Sequence, residues 1–124
     1  MRAQGFTFIE ILVVMVVLGL LASLAFVRLQ STKEKATIAS MMSDLHGVVE
    51  EQEAYYIENR TYTLVLALLN PNPTAGTTIT LHEATVTGWS GSAANPKTTK
   101  ICGVIVGSAA PIGTASQDGV IKCW

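Results

Sequence analysis

The sequence predicts an α+β fold: a long N-terminal α-helix with a projecting apolar first half, packed in its second half against a small C-terminal antiparallel β-sheet. Three observations carry this reading. The apolar content is concentrated before residue 28 instead of being spread along the chain. From residue 27 to 58 Gly47 is the one breaker, and apolar residues recur there at helical spacing. Beyond residue 76, β-branched runs alternate with stretches of Gly, Ser, Ala and Thr. At 124 residues the chain has room for one small domain.

The first element is residues 6–27, in which Glu10 is the only charge. As a helix it spans roughly 33 Å, enough to cross a bilayer core. A cleaved secretory signal competes for the same stretch, with Arg2 as basic start, residues 11–21 as apolar centre and Ser23-Leu24-Ala25 as a small-x-small site. Glu10 fits that signal badly. Arg2 and the amino group precede the segment while Arg28, Lys33 and Lys35 follow it, so flanking charge leaves the orientation open. A carboxylate inside a membrane costs about 2.5 to 3.5 kcal/mol on insertion scales, and therefore asks for a cation as partner. Gly19, Ala22, Ser23 and Ala25 offer small surfaces at which helices can approach.

The second half of the helix follows from Ile38, Met42, Leu45, Val49 and Tyr56, which recur at steps of three, four or seven. Met41, Val48 and Tyr55 widen the stripe, while Lys33, Glu34, Asp44, Glu50, Glu51 and Glu58 fall largely off it. A stripe this broad is expected to lie under the protein's own sheet. A parallel coiled coil is the alternative, opposed by Gln52 in the seam and by fewer than four clean heptads. One helix from residue 6 to about 58 is roughly 80 Å long, against the ~30 Å that spans a small domain. Its apolar arm must be covered by lipid or by matching arms of other copies, since both remove apolar area from water.

Residues 59–62 are polar and aromatic, and the turn-rich stretch 70–76, Asn-Pro-Asn-Pro-Thr-Ala-Gly, places the helix end before it. Residues 77–88 read as a first strand, 100–107 as a buried strand through Ile101, Val104, Ile105 and Val106, and 119–124 as a third. The connections 89–99 and 108–118, rich in small polar residues, are expected to be exposed loops. Cys102 and Cys123 suit a single disulfide formed outside the cytosol, with two buried free thiols as the alternative. The bond would close a loop of about twenty residues and contribute on the order of 3 kcal/mol, a staple that a sheet this small needs.

Other chemistries find little support. Formal charge is -1 and the basic residues are scattered, so no electrostatic footprint for nucleic acid appears and no nucleic-acid binding is predicted. His46 and His82 lack companions at metal-ligand spacing, and no metal or cofactor is expected. Glu50, Glu51 and Glu53 read as a solvated helix face. No phosphate-cradling loop, nucleophile elbow or metalloprotease helix occurs, and the chain reads as no enzyme. Asn59-Arg60-Thr61 satisfies the glycosylation sequon, a short pattern frequent by chance.

The run Gly5-Phe6-Thr7-Phe8-Ile9-Glu10 followed by an apolar helix resembles the class III leader of type IV prepilins and pseudopilins. The resemblance implies a leader at 1–5, a transmembrane and filament-core helix at 6–27, and a pilin globular domain at 28–124 that includes the amphipathic second half of the helix. It implies cleavage between Gly5 and Phe6 by a membrane-embedded aspartyl peptidase, N-methylation of Phe6, and a role for Glu10 in assembly register. There Glu10 would meet the amine of a neighbouring subunit; pairing with its own amine is the local alternative. Gly19 matches a common glycine of the family, and Val27 stands where the family usually has proline. "KICGVIVG" with "GVIKCW" resembles the C-terminal disulfide pattern of the type IVa group, which adds to the case for Cys102 joined to Cys123.

The function so implied is a structural subunit of a pilus-like helical filament, made of identical copies and served by prepilin peptidase and the assembly machinery. Before assembly it would rest in inner-membrane lipid as a single-pass precursor, and afterwards in an extracellular filament. Two other readings accompany this one. A pseudopilin of a type II secretion system shares the leader and helix, though the major subunit there typically binds calcium and lacks this cysteine pair. A secreted soluble binding module would use the first 25 residues as an ordinary signal peptide.

Overall fold

A computed structural model describes residues 5–124, apart from the side chain of Val27; of the leader expected at 1–5, residues 1–4 lie outside the described residues. Helix α1 runs from Phe8 to Asn59, through Gly19, Val27 and Gly47 without a break. A 3-10 turn follows at Leu66–Leu68. Four strands then form one antiparallel sheet: β1 Thr78–Ala84, β2 Gly88–Ala94, β3 Ile101–Gly107 and β4 Lys122–Cys123, in the order β1-β2-β3-β4. The architecture is α+β.

Contacts divide the chain into two compact units, one ending at Lys33 and the other from Glu34 to Trp124. In the first, the described side chains from residue 5 to 26 are all exposed, and the helix stretch there is long and apolar enough, by length and composition, to cross a membrane. The second holds the hydrophobic core. Met41, Leu45 and Val48 of α1 meet Ile79 of β1, Trp89 and Ala93 of β2, Cys102 and Val104 of β3, and Leu69 and Ile121 from the connecting segments. Ile38, Met42, Val49 and Tyr55 flank this line and are partly buried. The stripe expected at helical spacing is thus the one that packs on the protein's own sheet, with its centre on the Met41, Leu45 and Val48 row.

The sheet departs from expectation at β2. Residues 89–99 read as an exposed loop, yet Gly88–Ala94 pairs with both β1 and β3 and contains Trp89, which has no exposed surface. The residues are small because the indole needs the room. Gly91 is paired with Leu81 on one side and Val104 on the other, and a Cβ at Gly91 would come within 3.1 Å of the Trp89 ring and 3.2 Å of the Leu81 side chain. A strand of Gly, Ser and Ala carries no β-branched signature, since the bulk that fills this part of the core belongs to Trp89.

The other strands differ in extent. β1 ends at Ala84 with an irregularity between Leu81 and Glu83, and the tight turn that follows is held by Thr85, whose hydroxyl accepts the Gly88 N–H at 3.1 Å. β4 is two residues long where six were expected, and it is completed by mutual backbone hydrogen bonds between Ile101 and Trp124 at 3.1 and 3.0 Å. The Trp124 ring lies over Gly103 and against Gly113, whose φ of 53° favours glycine. The 108–118 connection is a loop, but Ala109 and Ala115 within it are buried.

Candidate functional site

The start of α1 is built by three residues outside any regular element. Gly5, Phe6 and Thr7 precede the helix and are exposed, and nothing lies within 4 Å of the position a Gly5 Cβ would take. Phe6 and Phe8 are 80% and 85% exposed, so the Gly5-Phe6 bond stands in an open, non-helical stretch immediately before the first turn. Thr7 begins the helix: its carbonyl accepts from the N–H groups of Glu10 at 3.1 Å and Ile11 at 3.3 Å. Glu10 turns back onto Thr7, and its Oε2 accepts from the Thr7 N–H at 3.2 Å and from the Thr7 hydroxyl at 3.3 Å.

This is one half of a capping box, in which a carboxylate in the first turn satisfies an N–H that the helix leaves without a partner. The positive end of the helix dipole favours the same carboxylate. The local partner of Glu10 in this structure is therefore Thr7, one residue beyond the amine that cleavage after Gly5 would expose. Sequence reasoning weighed Glu10 against amines alone. The Thr-x-x-Glu spacing ahead of an apolar run was the available signal for Thr7.

The other sequence-selected residues lie in the second unit. Cys102 and Cys123 face each other as register partners on β3 and β4 and are joined by a disulfide. The bond fixes the last strand to a central one, and Cys102 itself is part of the core. Among the described residues no group of three or more His, Cys, Asp or Glu could hold a metal ion. His46 is on α1, and His82 on β1 shares a 2.8 Å hydrogen bond with Ser92.

The sequence reading took Gln52 for an interruption of the apolar seam and gave Tyr62 no specific partner, yet both are polar anchors near the end of α1. Gln52, fully buried, donates from Nε2 to the Thr63 carbonyl at 2.7 Å and accepts the Thr63 N–H at 3.1 Å, replacing for the loop the backbone partner it lacks. Tyr62 stacks on Tyr56 with ring centroids 4.7 Å apart, and its hydroxyl donates to Glu53 Oε1 at 2.9 Å. Burial first, then that hydrogen bond and the carboxylate charge behind it, push the Tyr62 phenol up to about 12.

Comparison with known proteins bears on the first of these sites. Residues 1–26 match the prokaryotic N-terminal methylation motif. The chain is 41% identical over 61 residues to the type II secretion system core protein G of Dickeya chrysanthemi, a match covering 49% of this chain and 40% of that protein. It is 34% identical over 62 residues to the type IV wide pilus major component PilA4 of Thermus thermophilus, covering 50% of this chain and 47% of the relative.

Over its N-terminal half the chain is similar to members of the type IV pilin and pseudopilin family. A further relative, the type II secretion system core protein G of Vibrio cholerae, is 35% identical over 82 residues, covering 59% of this chain and 56% of its own. The chain spans about half the length of the curated pilin-family relatives it matches. The matched methylation motif spans Gly5, Phe6, Thr7 and Glu10, the residues gathered at the helix start.

Proposed function

We propose that the chain is a structural subunit of a pilus-like helical filament, held in the inner membrane as a single-pass precursor, cut between Gly5 and Phe6, methylated on Phe6 and then packed helix against helix with identical copies. The observation that carries this reading is the coincidence of the methylation motif with an exposed, non-helical Gly5-Phe6 junction at the head of an apolar helix with no cover within its own unit. Such an arm stays out of water by exchanging lipid for the arms of neighbouring copies. Prepilin peptidase would perform the cut, and the assembled filament would lie outside the cell. Glu10 would set register by meeting a neighbour's amine, leaving or sharing its contact with Thr7.

The names of the relatives support a second reading, a pseudopilin of a type II secretion system. The stapled Cys102–Cys123 sheet favours the pilus reading, since the resemblance associates that cysteine pattern with pilins. Mass spectrometry of the mature N-terminus tests the shared part. Methylated Phe6 is expected, whereas Phe26 as first residue would make the chain an ordinary secreted module. Recovery of the subunit in fibres sheared from the cell surface then separates the two filament readings, because a pseudopilin would remain in the periplasm.

A further inference from the structure

Within the unit from Glu34 to Trp124 most of the charges are sorted by end, with Arg60 the base that stands at the acidic end. Glu34 accepts the Thr98 hydroxyl at 3.2 Å, which sets the β2–β3 turn beside the helix residues that open this unit. Lys35, Lys97 and Lys100 are exposed at that end, and Glu34 is the nearby acid. At the other end the Tyr62 N–H donates to the Thr85 carbonyl at 3.1 Å, which brings the β1–β2 turn to the close of α1. The carboxylates collect there. Glu50, Glu51, Glu53 and Glu58 occupy the closing turns of the helix, Glu83 accepts the Ala110 N–H at 2.9 Å, and Asp118 accepts the Gly107 N–H at 2.8 Å.

This placement runs against the needs of the isolated subunit. The C-terminal end of a helix is favoured by cations and disfavoured by acids, yet the last turn of α1 contains Glu58 and no basic residue, and Arg60 directly after it is the one base set against the four glutamates of the closing turns. The same end exposes Ile57, Leu64, Val65 and Leu68 at 72, 53, 52 and 57%, with Leu68 beside Ala54, Tyr55 and Glu58. It is an acidic and apolar surface whose charge complement sits on the opposite end of the same unit.

We infer that the basic end of one copy, through Lys35, Lys97 and Lys100, docks on the acidic end of the next copy, through Glu50, Glu51 and Glu58. The inference rests on the filament reading and deepens it. Copies that all point the same way meet head to tail, so every repeat sets the lysines against the carboxylates. A copy inserted upside down would set acid against acid, and like charges across an interface reject the wrong partner. The sorting of charge thus gives the polymer its polarity, independently of the apolar arm.

The test uses the full-length chain in membranes, as a mixture of isotopically light and heavy copies treated with a zero-length amine-to-carboxylate cross-linker. Light-to-heavy links from Lys35, Lys97 or Lys100 to Glu50, Glu51 or Glu58 are expected; links confined to single copies would overturn the inference. Charge reversal gives the second arm. Lys97→Glu with Lys100→Glu, and Glu50→Lys with Glu51→Lys, should each lower the sedimenting polymer fraction at least about fivefold, since facing like charges cost several kcal/mol. All four changes together should restore it to within about twofold, as the unlike ends face again. No restoration, with each variant still melting cooperatively as the native chain does, would overturn the inference. So would lysines shielded by phosphatidylglycerol vesicles and never linked to the acidic end, which would assign them to the membrane. Light-to-heavy links without visible filaments leave the docking standing and remove the filament reading; filaments without such links do the reverse.

Discussion

Replacing Gln52 by leucine tests how much of the fold depends on one buried amide. Gln52 has no exposed surface and Thr63 is 7% exposed, so neither the Thr63 N–H nor its carbonyl has water as an alternative to the two side-chain bonds at 3.1 and 2.7 Å. Leucine matches the glutamine in size and removes both partners at once. Each orphaned backbone group costs about 1 to 3 kcal/mol, and the more apolar side chain returns about 1 kcal/mol. Gln52→Leu is therefore expected to destabilise the second unit by roughly 1 to 5 kcal/mol. In a unit of this size each kcal/mol moves the melting temperature by about 4 to 8 °C, which places the expected fall at about 4 to 40 °C.

The measurement is a thermal melt of the full chain in detergent, followed by the fluorescence of Trp89, whose indole is buried in this core, in a Trp124→Phe background. Gln52→Glu adds a second arm to the same experiment. Its ionised carboxylate can accept the Thr63 N–H but has no proton for the Thr63 carbonyl, and it would be buried. The folded state raises the pKa of that carboxyl above its unfolded value, so the stability it confers is present at acid pH and is lost as pH rises through the folded pKa. A fall of less than about 3 °C for Gln52→Leu, under about 0.8 kcal/mol, would refute the reasoning, as would a Gln52→Glu variant whose deficit does not change with pH.

Three further outcomes are expected. Reduction, or Cys102→Ser with Cys123→Ser, opens a loop of 21 residues and should cost about 3 kcal/mol, read as a lower urea midpoint of the full chain in detergent. Arg60 has a φ of 57° directly after α1, the position where glycine ends a helix without Cβ strain, so Arg60→Gly should stabilise by about 1 kcal/mol while Arg60→Ala should not. Tyr62, pushed up to about 12, should contribute stability that is complete below pH 10 and disappears as pH rises from 10 to 12; ultraviolet titration should find one late phenol, and Tyr62→Phe should abolish it.

What could be read from the chain beforehand divides along the range of the interactions involved. The helix was legible because its evidence is local and repeated: an apolar run to residue 27, then a stripe at steps of three and four in which Met41, Leu45 and Val48 form the buried centre. β3 was legible for the same reason, as Val104 and Ile105 are buried as expected, although Ile101, expected to be buried with them, is exposed and Val106 is half-buried. β2 was not, because the need for Gly91 and Ala93 is created by the Trp89 ring and by strands on either side. Gln52 was misplaced by the same shortfall. A polar residue in an apolar stripe reads as an interruption until its partner, eleven residues on, is known to be a loop backbone that requires it.

Glu10 shows where local evidence and assembly meet. Its bonds to Thr7 are long, 3.2 and 3.3 Å, and both fall on one carboxylate oxygen at an exposed site, whereas well-formed charge-assisted N–H bonds are about 2.7 to 2.9 Å. On the filament reading, an amine arriving at the carboxylate in apolar surroundings would add opposite charge to these long bonds, and the cap would then be a holding position that yields to a cation. Thr7→Val removes the hydroxyl contact and leaves the backbone N–H contact and the carboxylate in place. If Glu10 acts mainly as a helix cap, Thr7→Val should impair filament assembly in part, in the same direction as Glu10→Val. If it acts on a neighbour's amine, Thr7→Val should assemble normally while Glu10→Val inserts into the membrane and assembles poorly. Ordinary filament yield from Glu10→Val would remove the register role altogether.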